Sequence, residues 1–206
     1  MDFGRAACHT KHCAAVTLEF QVALLFAMGT LHGNWQESFQ TLSVLNTMTR
    51  VTYVARVDPD VRYDQAKFEE EVAMYLSDPD GWESRGYTFE EVERNPQVRI
   101  HLSSPNTIRK VGCEDGTLSC AELGGHHLHL NAMRWTRGSA ESKLPLDEYR
   151  QYMVTHEMGH ILGFEHVTCP GPGQPAPLMM QQTRGIGRCV PNTKLTPTDT
   201  QNKQKS

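Results

Sequence analysis

Four side chains within eleven residues are of types that bind a metal or move a proton beside one. They are His156, Glu157, His160 and His166, spaced H-E-x-x-H-x-x-G-x-x-H with Gly163 between the last two histidines. Residues four apart on a helix lie about 40° apart around its axis, so His156 and His160 present both imidazoles from one face. Gly163 can end that helix in a left-handed turn that costs no Cβ clash, and the reversed chain brings His166 to the same point. Three neutral imidazoles leave the fourth tetrahedral position open, which is the arrangement of a catalytic rather than a structural zinc, so the expectation is one Zn2+ per chain. Glu157 adjoins the first ligand but is not needed to fill the coordination sphere. Its carboxylate is placed to hold a water at the metal and take its proton. Adding Gly163 and His166 to the shorter H-E-x-x-H lowers the chance of an accidental match to roughly one in ten thousand chains.

The extended motif resembles that of the metzincin metallopeptidases, and Leu178-Met179-Met180-Gln181 follow at the distance where that clan places its Met-turn. A narrower likeness runs from about Trp35 to Pro191, carried by Leu76–Trp82, Leu130–Trp135, Tyr149–Tyr152, Cys169–Gly173 and Pro175–Thr183. These phrases are similar to an uncharacterised, mostly bacterial, exported domain family with a metzincin-type site. The resemblance implies an α/β fold: a twisted, mostly parallel sheet backed by helices, an active-site helix flooring a cleft, and a short C-terminal subdomain. It implies a zinc-dependent endopeptidase acting on peptide or protein substrates, with Met179 or Met180 as an apolar platform under the ligands; the family match favours Met179. It also makes His127 to Trp135 the edge strand that pairs with extended substrate. Gln181 departs from those metzincins that carry a tyrosine two residues after the methionine, so transition-state stabilisation falls to zinc alone or to another donor.

Two other classes fit the same residues. One is a zinc-bearing binding or adhesion module without catalysis, since a fold can outlive its chemistry; retention of Glu157 argues against it. The other is a metal-dependent hydrolase of a non-peptide amide, which substrate profiling separates.

The elements that must position this chemistry fit one domain. The chain has 206 residues, 38% of them hydrophobic, enough for a core that does not depend on metal or disulfides. A formal net charge of −4 with intermixed signs offers no basic stripe, so nucleic acid is not an expected partner. Arg5 and Lys11 precede an apolar run from Val22 to Leu31, too short to span a bilayer but suited to a secretory signal, with a small-x-small step at Ala27-Met28-Gly29. The expectation is a signal over 1–29, and a metallopeptidase domain over 30–206 with an upper part to about 163, a lower part over 164–195 and a frayed polar tail from 196. A buried helix or an interfacial segment is the competing reading of 1–29, supported by Glu19 and Gln21. Removal of that segment deletes Cys8 and Cys13 and leaves an even set, Cys113, Cys120, Cys169 and Cys189. Three connectivities are open, of which Cys113 with Cys120 and Cys169 with Cys189 are the local choices. The even set fits a secreted or extracytoplasmic protein; four reduced thiols in a cytosolic one is the alternative. Cys8-His9 and His12-Cys13 could bind metal or act as an inhibitory thiol, although a signal explains the segment more simply.

Alternation predicts strands over Val51–Val57, Tyr87–Val92 and Gln97–Leu102. Phe68, Val72 and Leu76 mark an amphipathic helix from Tyr63 to Leu76, its Glu69, Glu70 and Glu71 read as solvated surface. Ser104-Pro105 opens a loop or helical turn, Glu114 to Gly125 is a polar connection, and His127 to Trp135 alternates again. His127, His129 and Asn131 share one face there, which reads as an exposed polar strand face or, less simply, a second metal site. The helix carrying His156 is expected to begin near Pro145, with Asp147 and Glu148 at its positive end and Leu146, Tyr149 and Met153 packing one side.

Overall fold

The computed structural model describes residues 48–113, 116–121 and 124–203. The expected signal over 1–29, with Cys8 and Cys13, lies outside the described residues.

Five strands form one mixed sheet: β1 (Thr49–Val57), β2 (Tyr87–Glu91), β3 (Val98–Ser103), β4 (Cys120–Ala121) and β5 (His127–Asn131), in the order β2-β1-β3-β5-β4. Neighbours pair in parallel except β4, which runs antiparallel to β5. Four helices are described: α1 (Gln65–Leu76), α2 (Pro105–Lys110), α3 (Ala132–Arg137) and α4 (Leu146–Ile161). The architecture is therefore α/β with a mostly parallel sheet, as parallel strands joined through helices require.

The period-two pattern decides which face meets the helices. Val98, Ile100 and Leu102 of β3, with Leu128 and Leu130 of β5, are buried, while Arg99 and His127, which alternate with them, are exposed. α1 starts at Gln65, two residues later than expected, because the Asp64 side chain caps it by accepting from the Lys67 N–H. Phe68, Val72 and Leu76 are buried as their spacing predicts, with Tyr75 added. Only Glu70 of the acidic trio is exposed: Glu69 pairs with Arg56 at 2.9 Å, and Glu71 takes Arg150 at 3.3 Å and the Tyr63 hydroxyl at 2.7 Å. Charges on that face thus tie α1 to β1 and α4.

Two further expectations are corrected. The alternation from His127 does not continue to Trp135: Asn131 ends β5 and accepts from the N–H groups of Met133 and Arg134, which turns the chain into α3. Trp135 then enters the core edge-on to Phe68, 5.2 Å between ring centroids. Residues 197–203 are not a frayed tail. Residues Pro197–Thr200 form a 3-10 turn, Asp199 is fully buried, and Glu165 donates to the Asn202 carbonyl at 3.0 Å.

α4 is buried on several sides, from Tyr149 to Ile161, so apolar periodicity along it is weak. Leu146 is an exception to the expected packing face and is exposed, whereas Tyr149 and Met153 are buried. Pro145 is the residue before the helix rather than its first turn, and Gly163 with φ 88° reverses the chain after it. From Phe164 to Lys203 the chain is mostly loop, with 3-10 turns at Gln182–Arg184 and Pro197–Thr200.

Candidate metal centre

α4 and the turn after it bring His156, His160 and His166 together, with one donor nitrogen of each within 4.8 Å of the others. Two of the rings are fixed from behind. His156 Nδ1 lies 2.7 Å from the Leu178 carbonyl and His160 Nδ1 lies 2.8 Å from the Phe164 carbonyl. A carbonyl only accepts, so each Nδ1 carries the proton and each Nε2 keeps its lone pair, as a ligating histidine requires. His160 Nε2 and His166 Nε2 stand 3.0 Å apart, close to the roughly 3.3 Å that two tetrahedral zinc–nitrogen bonds impose. Burial depresses all three basicities. His156 falls well below the usual imidazole value, with His160 adding to the effect; His160 also falls; His166 drops to about 4 through burial, then His160, then Arg184. Neutral imidazoles with converging lone pairs fit a divalent metal that prefers nitrogen.

Glu157 is buried at 7% exposure, lines the same cleft, and has no hydrogen-bond or ion-pair partner among the described residues. Burial alone pushes its carboxyl up to about 8. A cation held by the adjacent histidines would offset that desolvation, so the unpartnered carboxylate is a second fit to a metal here.

The methionine pair divides. Met179 is fully buried beneath α4, and a Cβ built on Gly159 would come within 2.3 Å of its Sδ. Met180 packs instead with Ala176, Ile186 and Cys189 in a smaller apolar cluster, while its carbonyl accepts from the Tyr152 hydroxyl at 2.9 Å. Met179 is thus the methionine under the helix that carries His156 and His160. Its N–H donates to Asp199 at 2.6 Å, and the preceding carbonyl orients His156, so the C-terminal turn braces His156 through two backbone steps. Reading along the chain missed Asp199, although Thr196-x-x-Asp199 carries the spacing of a reciprocal cap, which the structure contains.

The three histidines and Glu157 line a cleft of about 900 Å³, together with Gln181. β4, through Cys120 and Ala121, lines it too. β5 was the expected edge strand, but it lies inside the sheet between β3 and β4, so the edge beside the cleft is the two-residue β4. Disulfides join Cys113 to Cys120 and Cys169 to Cys189, the two local pairings. The first ties the segment entering β4; the second closes the loop that carries Met179. Disulfides of this kind suit an oxidising compartment. The face of His127, His129 and Asn131, read from the sequence as an exposed polar strand face or, less simply, a second metal site, is exposed only in part, and the three do not form a metal set: Asn131 is buried and spent on capping α3 and on the Gly116 carbonyl at 2.7 Å. His129 instead meets Asp58 and His101, neither of which the sequence reading had marked.

No helix among the described residues is long and apolar enough to cross a membrane. The family model described as "Protein of unknown function (DUF3152)" matches residues 32–204, and the chain belongs to that family. No curated protein matches the chain.

Proposed function

We propose that this chain is a secreted zinc-dependent endopeptidase with a metzincin-like fold and site. The observation that carries the reading is Glu157, buried and unpartnered beside three histidines, two of which, His156 and His160, have their rings oriented by backbone carbonyls. A structural zinc site needs no such carboxylate, whereas a hydrolase needs a base at that position.

His156, His160 and His166 hold the metal. When bound, zinc supplies a Lewis acid that polarises the scissile carbonyl and brings the pKa of a water toward neutrality. Glu157 takes the water's proton and delivers it to the leaving amine, and its burial keeps competing solvent away from that transfer. β4 offers a strand edge along the cleft on which an extended peptide can add main-chain hydrogen bonds. Met179 keeps an apolar floor under the ligands and excludes water from behind them.

Profiling the purified protein against a peptide library, with and without a chelator, tests the reading. Cleavage that the chelator abolishes and added zinc restores is the expected result. A zinc-loaded protein that cuts no peptide in a diverse library would overturn it in favour of a binding module.

A further inference from the structure

Asp58, His101 and His129 meet on the sheet face opposite that of the buried Ile100, Leu102 and Leu128. Strand register brings them there. Val57 pairs with Leu102, and the Asp58 N–H donates to the Leu102 carbonyl at 3.1 Å, so Asp58 stands beside Ser103 at the end of β1. His101 of β3 pairs directly with His129 of β5. Neighbouring strands lie about 4.8 Å apart, so three adjacent strands place the three side chains side by side. One carboxylate oxygen and one ring nitrogen from each histidine lie within 4.8 Å of one another.

The local contacts tie these donors to one small volume. Asp58 Oδ1 is 3.2 Å from His101 Nδ1, and the buried Ser103 hydroxyl bridges Asp58 Oδ2 at 2.7 Å and His129 Nδ1 at 2.9 Å. The His101 and His129 rings stack at 4.9 Å with 18° between their planes, so both can turn toward the carboxylate together. Nε2 of His101 is buried without a hydrogen-bond partner among the described residues, so the network leaves one nitrogen of that ring unused. Hydrogen bonding therefore does not account for the whole cluster.

We propose that Asp58, His101 and His129 form a second divalent-metal site, distinct from the three-histidine centre. Two imidazoles and one carboxylate make a mixed nitrogen and oxygen set that suits zinc or a neighbouring first-row ion, with Ser103 or solvent completing the shell. Bonds of about 2.1 Å set such donors roughly 3.0–3.4 Å apart, so small side-chain rotations close the set. His101 and His129 also line the cleft that holds His156, His160 and His166, so an ion here clamps three parallel strands along the cleft wall.

The test is zinc stoichiometry on the full chain, stripped with a chelator and then titrated with Zn2+ against a chromophoric competitor. The parent should hold two zinc ions per chain. His129→Asn and the isosteric Asp58→Asn should each hold one, with an unchanged far-ultraviolet circular dichroism spectrum; His166→Ala should lose the other ion and keep this one. A parent that holds one ion, or Asp58→Asn and His129→Asn variants that still hold two, would overturn the second site. Neither outcome bears on the proposed peptidase activity, which is read separately by chelator-sensitive cleavage in the parent.

Discussion

Gly159 and Met179 occupy one space: a Cβ on the glycine would lie 2.3 Å from the methionine Sδ and 2.6 Å from Cζ2 of Trp82. The indole cannot yield easily, because its Nε1–H donates to the Thr155 carbonyl at 2.8 Å and its ring stacks on Phe164 at 4.7 Å. Glycine inside a helix costs about 1 kcal/mol relative to alanine, and here that cost is offset by close packing of the helix on its floor. Gly159→Ala should therefore lower stability by about 1–3 kcal/mol despite its better helix propensity. A thermal melt checks this; a melting temperature equal to or above the parent's would contradict it.

Asp199 accepts from the Met179 N–H at 2.6 Å, the Thr196 N–H at 2.7 Å and the Thr196 hydroxyl at 2.8 Å, all in a buried setting. Asp199→Ala strips those donors of their acceptor and should cost about 2–4 kcal/mol. The loosened loop carries the Leu178 carbonyl that orients His156, so zinc affinity should fall as well. Denaturant unfolding and zinc competition measure the two effects; a stable variant with parental affinity would remove Asp199 from the account.

Burial pushes the Asp78 carboxyl up, but Lys194 at 2.7 Å, the Asp80 N–H and the Gln151 amide outweigh it and hold it below the usual carboxylate value. The sign follows: the stability from this group is present above the unfolded value of about 3.9 and is lost as pH falls through the lower folded value. Lys194→Met should raise the Asp78 midpoint, read by carbon NMR of the carboxyl group. An unmoved midpoint would mean that Lys194 contributes nothing to it.

His166 sits on the turn after Gly163, outside α4, so removing it leaves His156 and His160 pinned by their carbonyls. His166→Ala should keep the fold and weaken zinc binding at this centre by at least about tenfold, the low end for losing a metal contact. Unchanged zinc affinity at this centre would mean that His166 is not a ligand.

What the sequence made legible was local. The spacing of His156, Glu157, His160, Gly163 and His166 is a statement about helix period and one glycine, and alternation in β1, β2 and β3 reports a half-buried strand. What escaped it depends on partners distant in the chain. β5 lies inside the sheet because a two-residue β4, too short to carry a period, covers its edge. Asp58, His101 and His129 meet only through strand register, and Asp199 reads as a polar tail until Met179 is seen above it. α4 hides its ends because burial on several sides removes the apolar stripe that marks a surface helix.

On the proposed reading, Glu157 does chemistry rather than structure. Glu157→Gln keeps the shape of a side chain that has no partner to lose among the described residues, so folding and zinc content should match the parent. The measurement is the cleavage rate of a peptide that the parent cuts in a chelator-sensitive way, taken on parent and variant of equal zinc content. The variant should cut at least about a hundredfold more slowly, the low end of general-base contributions. Equal rates in the two proteins would contradict that reading.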